Sequence, residues 1–364
     1  MNKVIVKTHR KKYPVFIGDG ILPQLRQKIE GIGSPDIFAV VDENVAKYHF
    51  EMIKKLFRNY PGKVEYFKLP QGEKAKSFHW FKQIHTSLLE GKFGKDTTLV
   101  AFGGGVTGDI SGFAAATFMR GIKLIHVPTT LLASVDSSIG GKTGINFHQL
   151  KNMIGSFYQP EFVFTDTQFL TTLPKREFNS ALGEIIKYAF ISGSTFFDFV
   201  DSKLDGNDLS EKKIISTIIK ECVTIKASVV SRDEYEETGI RKILNFGHTF
   251  AHAIEGTLNY KIKHGEAVAA GISAALFLSN KMGLTDNRKL NKFLVLTAKV
   301  PPPKTIMKLS VNDAVKFMQS DKKVRNNRTL FVLIKDIGKI LVDVPAGKRA
   351  IVDSLKQMKN FYFG

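Results

Sequence analysis

Cysteine is almost missing from the chain. Of 364 residues only Cys222 is a cysteine, so no internal disulfide bond can form. Unpaired thiols fit a reducing compartment such as the cytosol. Residues 1–14 are basic but lack the apolar segment and the small-residue cleavage site of a signal peptide. The sequence therefore predicts a cytoplasmic protein.

Long apolar runs and acidic residues are also scarce. The longest apolar run, around Val268 to Leu278, is shorter than the roughly 20 residues that cross a bilayer, so no membrane protein is expected. The 34 acidic residues against 53 basic ones give a formal charge of +19, which predicts affinity for nucleic acid, a membrane surface or a phosphorylated small molecule. The basic residues are scattered, however, so a solvated basic surface explains the charge equally well. No helix-turn-helix and no aromatic and basic platform supports nucleic-acid binding.

The rest of the composition is that of a globular protein. Apolar residues make up 43% and charged residues 24% of the chain, which excludes a disordered or collagen-like protein. At about 150 residues per domain, the length predicts two domains.

Up to about Asp166, short apolar runs alternate with segments of helical periodicity, as is typical of βαβ units and a largely parallel sheet. The predicted strands are Ile37–Asp42, Val64–Leu69, Thr98–Phe102, Lys123–Pro128 and Phe162–Thr165. The predicted helices between them are Val45–Phe57 and Ser77–Leu89, and an antiparallel edge pair is predicted from Val4–Lys7 and Val15–Gly18.

After Leu173 the pattern changes to long helical stretches. These are Glu177–Ile191, Leu209–Val230, Arg241–Glu255, Glu266–Lys281 and Lys289–Ala298, followed by a hairpin, Thr329–Ile334 with Lys339–Val344, and a helix from Lys348. The sequence thus predicts an α/β N-terminal domain over residues 1–170 and a mainly α-helical C-terminal domain over residues 171–364.

A glycine-rich turn follows the third predicted strand. Gly103, Gly105 and Gly108 have the G-x-G-x-x-G spacing, at which backbone N–H groups can approach a pyrophosphate at a helix N-terminus. A tight turn needed only for packing would look the same. Asp42, at the end of its strand, could accept a hydrogen bond from a ribose hydroxyl or cap the next helix. Thr129-Thr130 follow another strand at the same edge of the sheet.

The second half carries possible ligands for a divalent metal. Glu184 and Lys187 lie three residues apart, His248 and His252 lie four apart, and each pair shares one face of a predicted helix, while His264 precedes the next helix. A carboxylate and two imidazoles around an open position form a known zinc arrangement. Each of these side chains taken alone is more often structural than a metal ligand.

A further motif, Gly140-Gly141-Lys142-Thr143, shares part of the P-loop pattern. The full pattern requires a glycine at position 136, where the chain has Asp136, so a P-loop is excluded. Lys142 and Lys151 are candidates for binding a phosphate or a carboxylate, or are ordinary surface lysines.

Taken together, the motifs resemble those of the 3-dehydroquinate synthase family, and the resemblance extends over nearly the whole chain. In order, they are Gly103–Asp109, Phe118–Gly121, His126–Ala133, Asp136–Ser138, Gly140–Thr143, Lys151-Asn152, Gly183–Lys187, Leu244–Thr249 and His264–Val268. The resemblance implies a Rossmann-like NAD-binding N-terminal domain and a helical metal- and substrate-binding C-terminal domain.

The resemblance also implies roles for individual residues. It gives a divalent metal, zinc or alternatively cobalt, to Glu184, His248 and His264, which leaves His252 facing the substrate. The residues implied to bind NAD are Asp42, Glu73, Lys76, Gly104, Gly105, Val106, Thr107, Gly108, Asp109, Thr129, Thr130, Lys142, Lys151, Phe169, Leu170, Thr171 and Thr172.

The substrate site follows from the same resemblance. The implied catalytic residues are Lys142, Asn152, Lys187, His252 and Arg120, and the implied substrate-binding residues are Asp136, Lys226, Arg241 and Asn245. Arg120 matches a phosphate contact that members of the family donate across a dimer interface, which implies a homodimer. Either Lys322 or Lys323 matches another phosphate contact.

The reaction implied by the resemblance converts 3-deoxy-D-arabino-heptulosonate 7-phosphate to 3-dehydroquinate and phosphate in the shikimate pathway. NAD oxidises the C5 carbinol transiently, phosphate leaves by β-elimination, the hydride returns, and an aldol step closes the ring. The alternatives are another sugar phosphate cyclase, which makes deoxy-inosose or valiolone rings, and a metal-dependent polyol dehydrogenase. Lys226, Arg241, Asn245 and His252 keep the dehydroquinate pattern, and the phosphate-binding residues disfavour the dehydrogenase.

Overall fold

A computed structural model describes residues 1–148, 150–205, 209, 211–320, 324–325 and 328–364. The contacts within the chain divide it into two compact units. The first unit comprises Met1–Pro174 and Ile215–Tyr235, and the second comprises Lys175–Ile214 and Glu236–Gly364. The first unit therefore includes a segment of the later, helical half of the chain.

The first unit is built on a seven-stranded sheet and a separate two-stranded hairpin. The sheet strands are β1 (Asn2–Lys7), β2 (Lys12–Gly18), β3 (Ile37–Asp42), β4 (Val64–Leu69), β5 (Thr98–Gly103), β6 (Lys123–Pro128) and β9 (Phe162–Asp166), and the hairpin is β7 (Lys142–Phe147) with β8 (Leu150–Phe157). The order in the sheet is β1-β2-β9-β6-β5-β3-β4, with only β1 antiparallel to its neighbour. The predicted parallel sheet and its antiparallel edge pair are confirmed.

Helices cover both faces of this sheet, and each face has its own apolar core. In β3, Phe38 and Val40 pack into one core, whereas Ala39 and Val41 pack into the other. Strands buried on both faces appear in the sequence as continuous apolar runs, which explains why β3 was predicted with its exact bounds. The helices of this unit are α1 (Leu25–Glu30), α2 (Glu43–Leu56), α3 (Phe78–Glu90), α4 (Gly105–Thr117) and most of α7 (Lys212–Val230).

The second unit is mainly helical, as predicted. Its helices are α5 (Lys175–Ser192), α6 (Ser194–Asp205), α8 (His248–Thr257), α9 (His264–Lys281), α10 (Asn287–Ala298), α11 (Val311–Ser320) and α12 (Lys348–Phe363), and its strands are β10 (Val324–Arg325), β11 (Arg328–Asp336) and β12 (Lys339–Ala346). The chain was expected to be helical throughout Arg241–Glu255, and this prediction was wrong. Instead, the chain forms a 3₁₀ helix over Ile240–Asn245, and α8 begins only at His248. Gly247 lies between the two with a φ of +79°, and a left-handed residue interrupts an α-helix.

No helix in the described part of the chain has the length and apolar character of a membrane span. Three helices, α1, α6 and α11, the short strand β10 and the β7–β8 hairpin were absent from the sequence-based prediction.

The order of the strands defines one special position on the sheet. The chain leaves β3 for β4 on one side and then returns to β5 on the other side. The sheet therefore has its topological switch point between β3 and β5, and open α/β sheets bind ligands at the carboxyl ends of the strands there. Asp42 ends β3 and Gly103 ends β5.

Candidate functional site

Asp42 lies at this switch point and caps α2. Its Oδ1 accepts a hydrogen bond from the backbone N–H of Asn44 at 2.9 Å. Burial raises the pKa of the Asp42 carboxyl, although the N–H groups of Asn44 and Val45 oppose the shift. The capping role that the sequence allowed is therefore observed, and a contact with a ribose stays a prediction.

The glycine turn joins β5 to α4 and leaves backbone donors for a ligand. The first N–H groups of a helix have no partner within it; here the N–H of Gly108 is bonded to the carbonyl of Gly104 at 3.0 Å. The N–H groups of Gly105, Val106 and Thr107 come before this first bond of the helix, so they are the donors that a ligand could use. The N–H of Thr129 is bonded to the carbonyl of Gly103, and its buried Oγ1 has no hydrogen-bond partner among the described residues. Such donors and an orphaned hydroxyl fit a nucleotide phosphate.

Packing also accounts for part of the glycine pattern. A Cβ added at Gly103 would overlap the side chain of Thr107, and one added at Gly104 would lie 3.0 Å from the methyl group of Thr130. Thr107 is completely buried. The turn is thus required by the local packing whether or not a ligand binds.

A buried ion pair joins two of the residues expected to hold NAD. Lys76 contacts the carboxylate of Asp109 on α4, and both side chains are largely withdrawn from solvent. Burial raises the pKa of Asp109, and Lys76 opposes this shift by favouring the charged carboxylate.

Asn146 on β7 was missed by the sequence analysis, and it links this region to the hairpin. Its Nδ2 donates to Glu73 at 2.8 Å, its backbone N–H donates to the carbonyl of Lys76 at 2.9 Å, and its Oδ1 accepts from the N–H of Asn152 at 2.9 Å. Asn152 itself has a left-handed backbone, with φ +56°. No motif marks Asn146, because Glu73 and Lys76 lie far away from it in the sequence.

Lys226 and Asp136, both expected to bind substrate, are in direct contact. The Nζ of Lys226 donates to the carbonyl oxygen and to Oδ1 of Asp136, each at 2.8 Å, and Lys226 is almost fully buried. Both residues belong to the first unit, which includes most of α7.

Lys142 and Asn152 lie at different positions along the β7–β8 hairpin. Lys142 is opposite Phe157 at one end, and Asn152 lies near the turn, so the register does not pair these two residues, whose predicted role is phosphate binding.

Lys151, predicted to hold NAD, also lies near the turn, on β8.

Arg120 is exposed in a tight loop, where Met119 and Arg120 both have positive φ angles. Lys95 donates to the carbonyl of Met119 at 3.0 Å and to that of Gly121. Lys322 and Lys323 lie outside the described residues.

The stretch Thr167–Thr172 follows β9 as a 3₁₀ helix. The side chain of Phe169 is buried in the core and its ring meets that of His49 edge-on at 5.0 Å, so this side chain serves packing. Thr172 Oγ1 lies 2.7 Å from Nε2 of His49. Leu170 is half-buried and Thr171 is exposed.

Three side chains of the second unit form what we call the Glu-His-His cluster. Glu184 lies on α5, His248 is the first residue of α8, and His264 is the first residue of α9. Oε1 of Glu184 lies 3.4 Å from Nε2 of His248 and 3.4 Å from Nε2 of His264, and ligand atoms of all three lie within 4.8 Å of one another. Tetrahedral bonds of about 2.1 Å put ligand atoms about 3.4 Å apart, so the spacing fits a zinc-sized cation.

Close backbone crossings bring the cluster together. A Cβ added at Gly183 on α5 would overlap the carbonyl oxygen of Gly265 on α9. Likewise, a Cβ added at Gly271 on α9 would overlap the carbonyl oxygen of Gly247, which precedes α8. Gly183, Gly247 and Gly265 are each next to a member of the cluster, so the contacts between helices set the distances between the three ligands.

Charge around the cluster keeps its carboxylate ionised. Burial raises the pKa of Glu184, but Lys187, His248 and His264 overcome this effect and hold the pKa well below its ordinary value. Lys187 contacts Oε2 of Glu184 from the next turn of α5. The ring of His252 lies 5.7 Å from that of His248 and 6.4 Å from that of His264, between ring centroids. His248 and His252, which the helical spacing paired, are therefore neighbours. The Glu184 carboxylate, however, faces His248 and His264.

The two other predicted substrate residues of this unit lie on the 3₁₀ helix before α8. Arg241 is buried, with Nε 3.6 Å from Oε1 of Glu236, and Asn245 is half-buried at the end of that helix.

Family models for "3-dehydroquinate synthase N-terminal" and "3-dehydroquinate synthase C-terminal" match residues 66–180 and 181–324. The curated 3-dehydroquinate synthase of Acidithiobacillus ferrooxidans is 40% identical over 357 residues, which cover 98% of each chain. That of Shewanella pealeana is 39% identical over 338 residues, covering 92% of this chain and 94% of its own.

Solved structures share the whole fold. A 2-deoxy-scyllo-inosose synthase complexed with carbaglucose-6-phosphate, NAD+ and Co2+ has a TM-score of 0.89 at 26% identity, over 98% of this chain and 99% of its own. The 2-epi-5-epi-valiolone synthase of Streptomyces hygroscopicus, with NAD+ and Zn2+ bound, has a TM-score of 0.86 at 22% identity, over 96% and 97%. A maleylacetate reductase from Agrobacterium tumefaciens, at 13% identity and a TM-score of 0.68 over 100% and 99%, has the same fold. By its sequence, this chain belongs to the 3-dehydroquinate synthase family.

Proposed function

We propose that this protein converts 3-deoxy-D-arabino-heptulosonate 7-phosphate to 3-dehydroquinate and phosphate, as a cytoplasmic enzyme of the shikimate pathway with NAD and a divalent metal. The observation that carries the proposal is the Glu-His-His cluster, with ligand spacing suited to zinc or cobalt, in a chain 40% identical to a 3-dehydroquinate synthase. The free backbone donors of the glycine turn support NAD as the second group.

When bound, NAD would supply a reversible hydride acceptor for the C5 carbinol, and the metal would polarise the carbinol oxygen. Glu184, His248 and His264 are proposed to hold the metal. Lys187 keeps Glu184 ionised, and His252, beside the cluster, is proposed to exchange the carbinol proton.

The leaving phosphate is an anion, so it is bound best by hydrogen-bond donors, above all by positively charged ones. Lys142, Asn152 and Arg120 are proposed for this role because ammonium, amide and guanidinium groups all donate to phosphate oxygens. Arg241 is proposed to bind the substrate carboxylate, since a guanidinium matches a carboxylate with two parallel hydrogen bonds. The proposed role of the Lys226–Asp136 pair, with Asn245, is to bind the substrate hydroxyls.

The experiment that tests this proposal compares substrates. The purified protein with NAD and Zn2+ is given 3-deoxy-D-arabino-heptulosonate 7-phosphate or glucose 6-phosphate, and phosphate release and product mass are measured. We expect phosphate and 3-dehydroquinate from the first substrate and no release from the second. Phosphate release from glucose 6-phosphate alone would instead identify a different cyclase, and NADH formed in proportion to substrate would identify a dehydrogenase.

The homodimer is part of the same proposal. Exposed apolar side chains lie along the hairpin and at the Arg120 loop, including Phe147, Leu150, Met153 and Met119, and such side chains are typical of interfaces. If Arg120 acts in the neighbouring subunit, coexpressed Arg120→Ala and Lys187→Ala chains form heterodimers with one intact site each. We expect about a quarter of wild-type activity from the mixture and almost none from either variant alone. A monomer by light scattering, or heterodimers without activity, would contradict the shared site.

A further inference from the structure

Glu255 is a buried carboxylate beside the Glu-His-His cluster. It lies seven residues after His248 on α8, which is two turns and therefore the same face of the helix. Only 3% of the residue is exposed. A carboxylate withdrawn from water is unfavourable unless a donor or a positive charge faces it, so its surroundings carry information about its role.

Glu255 faces the nitrogen of His264 that points away from Glu184. Oε1 of Glu255 lies 3.4 Å from Nδ1 of His264, and Nε2 of the same ring lies 3.4 Å from Oε1 of Glu184. A neutral imidazole has one N–H and one lone pair. Both ring nitrogens thus face a carboxylate. A cation bound in the cluster would take the lone pair of Nε2, so the one N–H of the ring would then lie on Nδ1, where the Glu255 carboxylate accepts it.

His248 has the same arrangement with a neutral acceptor. Its Nδ1 lies 3.3 Å from the backbone carbonyl oxygen of Phe246, and its Nε2 faces Glu184. Both imidazoles thus turn Nε2 inward, but only His264 has a charged outer acceptor. A charged acceptor makes the imidazole a stronger electron donor to a cation than a carbonyl does.

We propose that Glu255 is a positioning residue of the metal site: it accepts the Nδ1–H of His264, directs Nε2 of that ring towards the cation, and strengthens cation binding through its charge. This inference rests on the proposed function, because it requires the cluster to bind a metal. Glu255 does not contact the metal or the substrate itself; it acts through His264.

The test is a metal-binding titration of the full-length protein. Co2+ is titrated into metal-free wild type, Glu255→Gln and Glu255→Ala, with affinity from competition against a coloured chelator and the visible Co2+ spectrum as a second readout. The matched control is Glu234→Gln, a buried carboxylate of the first unit that accepts from the N–H of His9 and from Gln159. We expect both Glu255 variants to weaken Co2+ binding by roughly 10- to 100-fold and to shift the spectrum. The control variant and NAD binding are expected to match wild type.

A purely structural role would give a different result. If the Glu255 variants lower the melting temperature of the metal-free protein but keep the wild-type Co2+ affinity and spectrum, the inference is wrong. If neither variant folds, ¹⁵N NMR of Zn2+-bound wild type with ¹⁵N-labelled histidines shows which ring nitrogen of His264 carries the proton. A proton on Nδ1 supports the inference, and a proton on Nε2 overturns it. Wild-type protein that binds no Co2+ would overturn the proposed metal site and this inference with it, whereas normal binding by wild type and variants alike would overturn only the role of Glu255.

Discussion

Glu184 and Lys187 form an ion pair in which both side chains are at least 98% buried. Pairs of this kind seldom add stability, because removing two charges from water offsets most of their attraction. Their value here is chemical. Lys187 holds the pKa of Glu184 low despite burial, so that the carboxylate is anionic when a cation binds. The pair is therefore explained by the metal site and not by the stability of α5.

Glu184→Gln tests this account at the level of one residue. The amide is nearly the same size but has no charge, so we expect metal and turnover to be lost together. Metal binding should weaken by more than the roughly 10- to 100-fold that is typical when a residue hydrogen-bonded to a metal ligand is replaced. The variant also leaves the buried ammonium of Lys187 beside a neutral group, which lowers stability by roughly 3–5 kcal/mol.

The double variant Glu184→Gln, Lys187→Met is the control for that loss of stability. It should recover most of the stability while still failing to bind metal, as judged by metal content after dialysis. A Glu184→Gln protein that keeps one tightly bound zinc per chain would contradict the role of Glu184.

His126 on β6 makes the first unit sensitive to acid. Burial lowers its pKa from an ordinary value of 6.5 to about 4. The unfolded chain therefore binds a proton between these values that the folded chain excludes, so stability is full above pH 6.5 and falls as the pH drops towards 4. Between pH 7 and pH 5 we expect a loss of about 2 kcal/mol from this residue.

The measurement is urea unfolding at both pH values, followed by the fluorescence of Trp80, the one tryptophan of the chain, which lies in the first unit. The variant His126→Gln should lack this part of the pH dependence. Equal pH dependence in the two proteins would show that His126 is protonated without cost.

At the scale of elements, the metal site depends on how closely three helices cross. The contact of α5 with α9 at Gly183 and Gly265 admits no side chain. A methyl group there must push the helices apart, and interiors respond to such overpacking with shifts of the backbone.

Gly183→Ala is expected to separate Glu184 from His264, weaken Co2+ binding at least tenfold, and lower the free energy of unfolding by about 1–3 kcal/mol. Gly347→Ala is the matched control, because a Cβ at Gly347 meets open space and its φ of −79° suits any residue. Chelator competition and urea unfolding measure the two effects. Unchanged Co2+ affinity in Gly183→Ala would show that the crossing does not set the ligand distances.

The hairpin and the segment that holds Glu73 and Lys76 are joined through Asn146. Asn146→Ala removes two side-chain hydrogen bonds, each contributing about 1 kcal/mol. We expect NAD to bind roughly tenfold more weakly by calorimetry, because Glu73 loses its side-chain partner on the hairpin, although the backbone bond from Asn146 to Lys76 remains. Asn280→Ala, which also removes two side-chain hydrogen bonds but in the second unit, should leave NAD binding unchanged. Equal NAD affinity in both variants would separate Asn146 from the nucleotide site.

Across the chain, the strands of the sheet could be predicted from the sequence, whereas much of the candidate site could not. Strands such as β3 and β6 are buried on both faces and give continuous apolar runs, so their bounds were predicted correctly. The hairpin β7–β8 was missed because β8 has no fully buried residue and so no core pattern to detect. The interruption at Gly247 was missed because a glycine inside a helical pattern does not reveal its φ angle.

The metal ligands show the same limit. Helical spacing pairs His248 with His252, and only the resemblance to the family selected His264. The distance between α8 and α9 depends on the crossing of Gly247 with Gly271, which is a long-range contact. Glu255 had no sequence signal at all, because it acts on a residue of the following helix.

In the proposed function, one chain uses both NAD and a metal as catalysts in a reaction that releases phosphate. The most direct measurement counts phosphate released from 3-deoxy-D-arabino-heptulosonate 7-phosphate per NAD, before chelation, after chelation and after Zn2+ is restored. We predict many turnovers per NAD with no accumulation of NADH, loss of activity on chelation, and recovery with Zn2+. Phosphate release that continues in the chelated protein, or NADH that accumulates with each turnover, would contradict the claim.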